Sequence, residues 1–379
     1  MIYLLILIVI LFCVWRYDLL EEDRHKDLLY WGIFVVFFLL SGLRYRIGGD
    51  TLMYMRSWEF YPDLLDFHWL EDIKRFQNKS EWVERFQPGW VLYCMIIRSI
   101  SESFYVLQIV TALIFNIAAA RVIKRHSPYP FLTILIFYVN FKFLEFEFEI
   151  MRETVAVSVF LLLSFDNYIR KKWIPYYIGV IIAFSIHNSA ILMFVLPLLR
   201  NINWSLKKYS VTMVLPSFFL SVAGRVVLGN IISIIFVGSG FISEYIAKAS
   251  ENETNLNYLL MYGCQPVMLY ILCCVCYKYI TDRNLRVLVF FSLIFMNFNM
   301  IYFTAGRLVN YIVLPVYIAI TPIFFHLIKK FHTVFIAIVL CLLYSVPAIY
   351  ILSDKGSRAR YYPYQWVINP QQTHEQKHL

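Results

Sequence analysis

Charged residues are scarce in this chain of 379 residues. Asp, Glu, Lys and Arg make up 16% of it, whereas soluble domains carry about 25%. Only the segment 44–87 comes close to the polarity of a soluble domain, and low-complexity stretches are missing. This scarcity excludes an ordinary soluble globular protein and a disordered one.

Motifs for nucleotides and for catalytic zinc are missing as well. The chain has no Walker, Rossmann or HExxH pattern. Its seven cysteines lie in apolar runs, and no His or carboxylate stands at metal-ligand spacing from the group Cys273, Cys274 and Cys276. We therefore expect no metal, no cofactor and no structural disulfide, with the cysteines acting as small apolar side chains.

A cleavable leader and a nucleic-acid surface are not supported either. Residues 1–15 have no basic start, and no small-residue cleavage site precedes Glu21, so we expect a retained first helix. The net charge of +9 is spread over Lys and Arg residues that mostly cap apolar segments. Because that is the pattern of membrane proteins, we expect no nucleic-acid partner.

Apolar residues dominate the chain, at 60% of its length. A membrane-spanning helix needs about 20 such residues, so the pattern predicts an all-α, polytopic integral membrane helical bundle with about 11–13 apolar segments. The segments lie near 1–15, 28–43, 88–100, 103–121, 129–144, 153–169, 174–199, 209–225, 226–240, 257–277, 287–303, 308–327 and 332–352. We expect one transmembrane domain over 1–379, with an external loop at 44–87 and an external C-terminal tail at 353–379.

Two segments do not fit a simple span. The run 88–100 is too short and starts at a Pro-Gly pair, which indicates a re-entrant or half-depth segment. The run 174–199 is interrupted by the polar residues 187–189 and forms either one long helix or two short ones. A consistent membrane path favours a short hairpin.

Positive charge sets the expected orientation. Seventeen of the 34 Lys and Arg residues lie in short loops that we place in the cytoplasm, namely 16–27, 121–126, 170–172, 200–208, 278–286 and 329–330. The N-terminus then starts outside. The unusual polar segments 44–87 and 145–152, the break at His187 and the C-terminal tail also fall on the outer face.

The first candidate site is the motif GLRYRIGGDTLMY. Its side chains suited to binding or proton transfer are Arg44, Arg46, Asp50 and Tyr54. The glycines at 48 and 49 allow a sharp turn close to a ligand, and Asp50 either caps the next helix or accepts a proton. Interfacial arginines and an N-cap aspartate would explain the same pattern without a function.

The second candidate site is LEFEFEIMRETVAV, residues 144–157. Its alternating Glu and Phe residues predict an interfacial segment with aromatic rings in lipid and carboxylates in water. On a continuous helix Arg152 would share a face with Glu149, and Glu153 follows directly. Ionisable groups at membrane depth usually mark substrate paths, although a surface salt bridge would be inert.

Two further motifs carry single candidates. In AFSIHNSAILMF, His187 interrupts an apolar run and suits proton transfer or phosphate binding. In YFTAGRLVNYIVLP, Arg307 stands at the start of a long apolar run, where a helix N-terminus and a guanidinium both favour phosphate. As alternatives without a function, His187 would be hydrogen-bonded to a neighbour inside the bundle, and Arg307 would be a membrane anchor whose charged end reaches the interface.

The candidate residues share one predicted membrane face. Four arginines, at 44, 46, 152 and 307, with His187 would suit a multiply anionic ligand, and a diphosphate is the obvious one at an outer leaflet. The hypothesis requires that these distant positions meet in one pocket.

The four motifs resemble, in order and spacing, the EpsG-like branch of the Wzy-type polysaccharide polymerases over roughly residues 40–330. The family's Arg, Gly, Asp and Tyr motif matches Arg46 to Tyr54 with slightly compressed spacing. Its Arg-Gln-x-x-Ala and Phe-His-x-Ser-Ala motifs match Arg152 and His187, and its late arginine matches Arg307. Here Glu153 replaces the usual Gln, and Ile186 the common Phe.

The resemblance implies a GT-C-like, metal-independent glycosyltransferase of the bacterial inner membrane. Such enzymes join oligosaccharide repeat units carried on undecaprenyl diphosphate at the outer face, making O-antigen, capsule or exopolysaccharide. It implies Arg152 and Arg307 as contacts of the leaving diphosphate. It implies a substrate-binding set of Arg44, Arg46, Tyr54, Glu149 and Glu153. Asp50, His187 and Glu153 compete for the role of base. Membrane lipid, flippases and chain-length regulators are the implied partners.

Other classes fit part of the pattern. A flippase or transporter of the same lipid-linked sugar would also need arginines, but on both membrane faces. A membrane O-acyltransferase of surface sugars would need a histidine such as His187, with access to a cytoplasmic acyl donor. A purely structural membrane scaffold is the fourth alternative.

Overall fold

A computed structural model describes residues 2–64, 87–140, 142–200, 205–219, 282–298, 305–331 and 358–370, with shorter pieces between 267 and 280. The chain divides into two compact units, which we treat separately. The first unit is residues 1–195 with 348–379, and the second is residues 196–347.

The described part of the first unit is built from helices. They are α1 Ile2–Cys13, α2 Lys26–Gly42, α3 Thr51–Trp58, α4 Pro88–Arg98, α5 Phe104–His126, α6 Pro130–Val139, α7 Met151–Val159 and α8 Trp173–Ile186. Wider π turns at Val14–Leu19, Glu145–Glu149 and Phe160–Phe165 extend or precede them, and short helical pieces lie at Lys142–Leu144, Asp166–Ile169 and, as a 3-10 turn, Asn188–Phe194. Pro88 and Pro130 stand in the first turns of their helices, where a missing N–H costs nothing.

Helix α5 is the axis against which the first unit packs. Near its start the Gln108 amide donates to the carbonyl oxygen of Gly42 at 2.8 Å. Further along, the Tyr30 hydroxyl of α2 donates to the Ala120 carbonyl oxygen at 2.6 Å. Helix α2 therefore runs antiparallel to α5 along most of its length.

Basic loops meet at one end of this unit. Lys124 forms a 3.0 Å ion pair with Asp27, and His126 lies 2.7 Å from Asp166, which Arg125 also contacts. The motif residues 44–54 and 145–153 lie towards the opposite end of α5, whose 23 residues span about 35 Å at 1.5 Å per residue. This grouping agrees with the one predicted from charge, and the membrane side that each end faces remains a prediction.

The short run 88–100 forms an 11-residue helix that follows only half of α5. Its Arg98 lies over the Trp58 ring at 5.5 Å, near the start of α5. Five residues earlier, Tyr93 bonds the Thr111 hydroxyl at 3.0 Å. The N-terminal end of α4 therefore lies near the middle of α5. A short helix at 88–100 is confirmed, and its half-depth position in a membrane stays a prediction.

The run 174–199 turns back on itself as a hairpin of two short helical pieces and does not form one long helix. Helix α8 stops at Ile186 because His187 adopts an extended backbone, with φ of −148° and ψ of 127°. The chain then returns along α8, so that the Tyr176 hydroxyl donates to the Met193 carbonyl oxygen and the Tyr177 and Phe194 rings stack at 6.0 Å. The polar interruption therefore lies at the tip of the hairpin and not within a helix.

The apolar run 129–144 departs from the expected single helix. Helix α6 ends after only ten residues at Val139, because Asn140 is extended with ψ of 136°. A second break follows at Ile150, with φ of −93° and ψ of 50°, before α7 begins. The acidic segment between the two breaks is therefore held away from the axes of α6 and α7.

The described part of the second unit is also helical. It contains α9 Arg283–Phe298 and α10 Ala305–Phe331, with shorter pieces at Leu196–Leu199, Leu206–Tyr209, Ser210–Val214 and Tyr277–Tyr279. Asn297 of α9 donates to the Ser217 hydroxyl at 2.8 Å. Predicted apolar runs at 226–240 and 332–352, and most of 257–277, lie outside the described residues, as does 65–86 of the predicted external loop.

Three helical stretches among the described residues are long and apolar enough to cross a membrane: Ile2–Leu19, Phe104–His126 and Arg307–Lys330. Shorter apolar helices accompany them at Pro130–Val139, Trp173–Ile186 and Asn188–Leu199. The described residues contain no β-strand. The predicted class, an all-α membrane protein, is confirmed.

Candidate active site

The loop between α2 and α3 is held tightly on both sides. Gly48 has a φ of +106°, and a Cβ at this position would overlap the carbonyl group of Phe148. The Gly48 N–H donates to the carbonyl oxygen of Arg360 at 3.0 Å. The loop is thus fixed between the acidic segment and the C-terminal tail, and only glycine fits at its turn.

Arg44 closes this loop from inside. Its side chain is only 2% exposed, its guanidinium donates to the carbonyl oxygens of Ser41 and Ile47, and it lies 5.4 Å from the Phe148 ring. Burial lowers the pKa of Arg44 to about 10, and the nearby Glu147 acts in the opposite direction. Arg44 remains charged at neutral pH and ties the two ends of the loop together, and its contact with a substrate remains a prediction.

Two other motif residues differ in exposure. Arg46 is exposed, with a φ of +53°, and lies 5.9 Å from the Tyr45 ring. Tyr54 is buried on α3 and packs against Trp90 of α4, with ring centroids 5.7 Å apart. Arg46 is therefore the more accessible of the two predicted binding residues.

The acidic segment has a different environment from the one expected. Phe146 and Phe148 are buried in protein, and Phe146 stacks on Phe115 of α5 at 5.1 Å. Glu147 is also buried and accepts a hydrogen bond from the Asn116 amide at 2.9 Å. The prediction of rings in lipid and carboxylates in water is wrong, because the two backbone breaks fold this segment against α5.

Those breaks also separate Glu149 from Arg152. Glu149 belongs to the turn before Ile150, whereas Arg152 belongs to α7. The two residues do not share one continuous helix face, and that expectation is wrong. No strong helix breaker marks this position in the sequence, since neither proline nor glycine occurs between positions 141 and 153.

Glu149 instead faces the tail. The Tyr361 hydroxyl donates to its Oε1 atom. Burial raises the pKa of Glu149, the bond from Tyr361 lowers it, and the charge of Asp50 raises it. Asp50 and Glu149 are therefore close enough for their charges to interact, and the partner of Glu149 in the tail lies outside the four motifs.

The C-terminal segment 358–370 is the part of this site that sequence reasoning missed. Its backbone bonds the motif loop twice, from Tyr45 N–H to the Gln365 oxygen and from Val367 N–H to the Leu43 oxygen, both at 2.9 Å. The Tyr364 hydroxyl donates to the Leu40 oxygen at 2.6 Å. The one signal that could have found it was the aromatic density of YYPYQW in an otherwise polar tail.

The remaining first-unit candidates flank helix α4. Arg152, in the first turn of α7, is close enough for its charge to act on the Cys94 thiol of α4. Gly89 of α4 packs directly against Ser185, two residues before His187. The His187 imidazole lies 2.5 Å from the Ser189 hydroxyl and, like Glu153, is largely buried.

Arg307 belongs to the second unit, in the first turn of α10 and partly exposed. Its predicted convergence with Arg152 remains a prediction. Within the ranges that the structure describes, no three His, Cys, Asp or Glu residues are grouped as metal ligands would be.

The fold and this cluster define a helical membrane protein with a polar site at one end of its first unit. The family model of the EpsG family matches residues 27–366, nearly the whole chain. The chain therefore belongs to the EpsG family, a family of Wzy-like polymerases. Comparisons with curated proteins and with solved structures gave no match.

Proposed function

We propose that the chain is a glycosyltransferase that joins oligosaccharide repeat units carried on undecaprenyl diphosphate into a surface polysaccharide. The observation that carries this proposal is the meeting of the Gly48 loop, Glu149 and the C-terminal tail at the end of the first unit remote from the basic loops. Family membership supports a polymerase of this type. We place this site on the outer face of the bacterial inner membrane.

The proposed reaction replaces one bond to the reducing-end sugar by another. An acceptor hydroxyl oxygen bonds to the anomeric carbon of the donor unit while the bond from that carbon to the diphosphate oxygen breaks. The acceptor proton passes to a base, and undecaprenyl diphosphate leaves with the bonding electrons. Negative charge therefore grows on the diphosphate in the transition state, where fixed cations act most effectively.

Arg152 and Arg307 are the proposed contacts of the leaving diphosphate. Each lies in the first turn of its helix, where the helix dipole adds partial positive charge to that of the guanidinium. Arg46, exposed on the motif loop, would gather the substrate. Metal independence is part of this proposal, since the arginines would supply the positive charge.

Asp50 is the base that we favour. Asp50 is partly exposed, whereas Glu153 is 2% and His187 8% exposed. A base must reach the proton of an acceptor hydroxyl, so the accessible carboxylate has the advantage. His187 and Glu153 would then support the site from within.

The test is polymer formation by purified protein in liposomes supplied with labelled lipid-linked repeat units. We expect Arg152→Ala to lower the rate by about a hundredfold to a thousandfold, in the range of lost transition-state donors, while the protein remains inserted. Arg170→Ala, at the opposite end of the unit, is the matched control and should keep full activity. Long polymer at the normal rate from the Arg152 variant would remove its catalytic role.

The same assay separates the proposed enzyme from a transporter. Growth of labelled chains supports the polymerase. Movement of labelled units across the liposome membrane without any growth would instead identify a flippase and overturn the proposal.

A further inference from the structure

The C-terminal segment presents one charged side chain to the motif loop. Arg360 is exposed between two buried neighbours, Ala359 at 4% and Tyr361 at 1% exposure. Its own carbonyl oxygen accepts from the Gly48 N–H at 3.0 Å, and the Tyr361 ring stacks on Phe148 at 6.3 Å. The position of the Arg360 backbone is thus fixed by contacts that do not involve its guanidinium.

The Arg360 guanidinium and the Glu149 carboxylate face the same space above Gly49. A Cβ at Gly49 would lie 3.2 Å from Nη1 of Arg360 and 3.2 Å from Oε1 of Glu149. Any side chain at position 49 would fill this space. The Asp50 carboxylate is close enough for its charge to act on Glu149, so two acidic acceptors and one donor group meet in this region.

This arrangement suits a hydroxyl better than a phosphate. A sugar hydroxyl can accept from a guanidinium and donate to a carboxylate at the same time. A diphosphate would gain from Arg360 but would be repelled by Glu149 and Asp50 at short range. The charge pattern over Gly49 therefore selects the sugar part of a lipid-linked substrate.

We propose that Arg360 is a substrate-binding residue that forms, with Glu149 and Asp50, a subsite for hydroxyl groups of the oligosaccharide. The inference rests on the proposed function and adds to it a residue from the C-terminal segment. The tail thus brings a guanidinium to this loop, whose own Arg44 is used inside the loop and whose Arg46 lies against the Tyr45 ring.

The test compares Arg360→Ala with the wild-type chain, with Arg358→Ala as the matched control on the same exposed turn. Lipid-linked repeat units isolated from cells lacking this chain serve as substrate. We expect Arg360→Ala to raise KM by about tenfold to a hundredfold, as for a lost charge-assisted hydrogen bond, with kcat within about twofold. Arg360→Lys should fall between the two, because it keeps the charge but not the planar fork.

Binding measurements distinguish the ligands. The oligosaccharide released from the lipid should bind Arg360→Ala more weakly than wild type, whereas undecaprenyl diphosphate without sugar should bind both equally. If Arg360→Ala lost binding of undecaprenyl diphosphate but kept binding of the oligosaccharide, the sugar subsite would be wrong. A KM of Arg360→Ala equal to that of wild type would also overturn it. If wild-type protein bound the released oligosaccharide through Arg360 but made no polymer, the subsite would stand and the proposed reaction would fail.

Discussion

Gly48 sets the geometry of the site at the scale of a single residue. Its φ of +106° lies in a region that costs other residues roughly 1–2 kcal/mol or more, and a Cβ would also overlap the Phe148 carbonyl group. We expect Gly48→Ala to destabilise the protein by at least about 2 kcal/mol and to reduce activity. Thermal unfolding in detergent and the liposome assay measure the two effects.

Gly32 provides the matched control for that substitution. It lies on an exposed face of α2, and a Cβ there would have nothing within 4 Å. Gly32→Ala should therefore stabilise the helix by about 0.5–1 kcal/mol, through its better helix propensity. Equal unfolding temperatures for the two alanine variants would contradict the role assigned to Gly48.

The hydroxyl of Tyr361 donates a hydrogen bond to the carboxylate of Glu149. Its hydrogen bond favours the carboxylate and so lowers a pKa that burial has raised. Tyr361→Phe removes this bond, so the pKa of Glu149 should rise further. If the carboxylate form binds substrate, the acidic limb of the pH–rate profile should move to higher pH. The reason is that a group with a raised pKa ionises only at a higher pH.

Tyr364→Phe separates this effect from simple loosening of the tail. The Tyr364 hydroxyl bonds the Leu40 carbonyl oxygen, and the described contacts of that hydroxyl do not include Glu149. We expect its pH profile to coincide with that of wild type. An acidic limb that moved equally in both variants would assign the effect to the tail as a whole and not to Glu149.

Whole elements were predictable where the sequence carried local signals. The length of 88–100 and its Pro-Gly start predicted the short helix α4. The His-Asn-Ser interruption marked the point where α8 ends, although it left one long helix and two short ones as alternatives. Both signals act within a few residues, through helix length and backbone propensity. The backbone breaks at Asn140 and Ile150 had no such signal, because packing of Phe146 and Glu147 against α5 determines them.

The C-terminal segment shows why the rest of the site could not be predicted. Tyr364 and Leu40 are 324 residues apart in sequence yet joined by a hydrogen bond. The backbone of the C-terminal segment also pairs with residues 43 and 45, through carbonyl and N–H groups that nearly every residue possesses. Motif reasoning finds unusual side chains, so it selected Asp50 and Glu149 but had no means to find the tail residues that contact Glu149 and the Gly48 loop.

At the scale of the whole molecule, the charge distribution argues for one orientation. The basic loops that pair with Asp27 and Asp166 lie at one end of the first unit, and the candidate site lies towards the other. Basic loops normally remain in the cytoplasm. The site would then face outwards, away from nucleotides, where a lipid-linked sugar is the available energised substrate.

Single cysteines at the two ends test that orientation. In a variant with the seven native cysteines replaced, Ile368→Cys marks the site end, where Ile368 is 84% exposed, and Lys172→Cys marks the basic end. A membrane-impermeant maleimide should label position 368 in cells whose inner membrane is intact, and position 172 only after that membrane is opened. Because both side chains are exposed, a difference between them reports sidedness and not burial. The reverse pattern would place the Gly48 loop in the cytoplasm, and a site there could not act on sugars displayed at the outer leaflet.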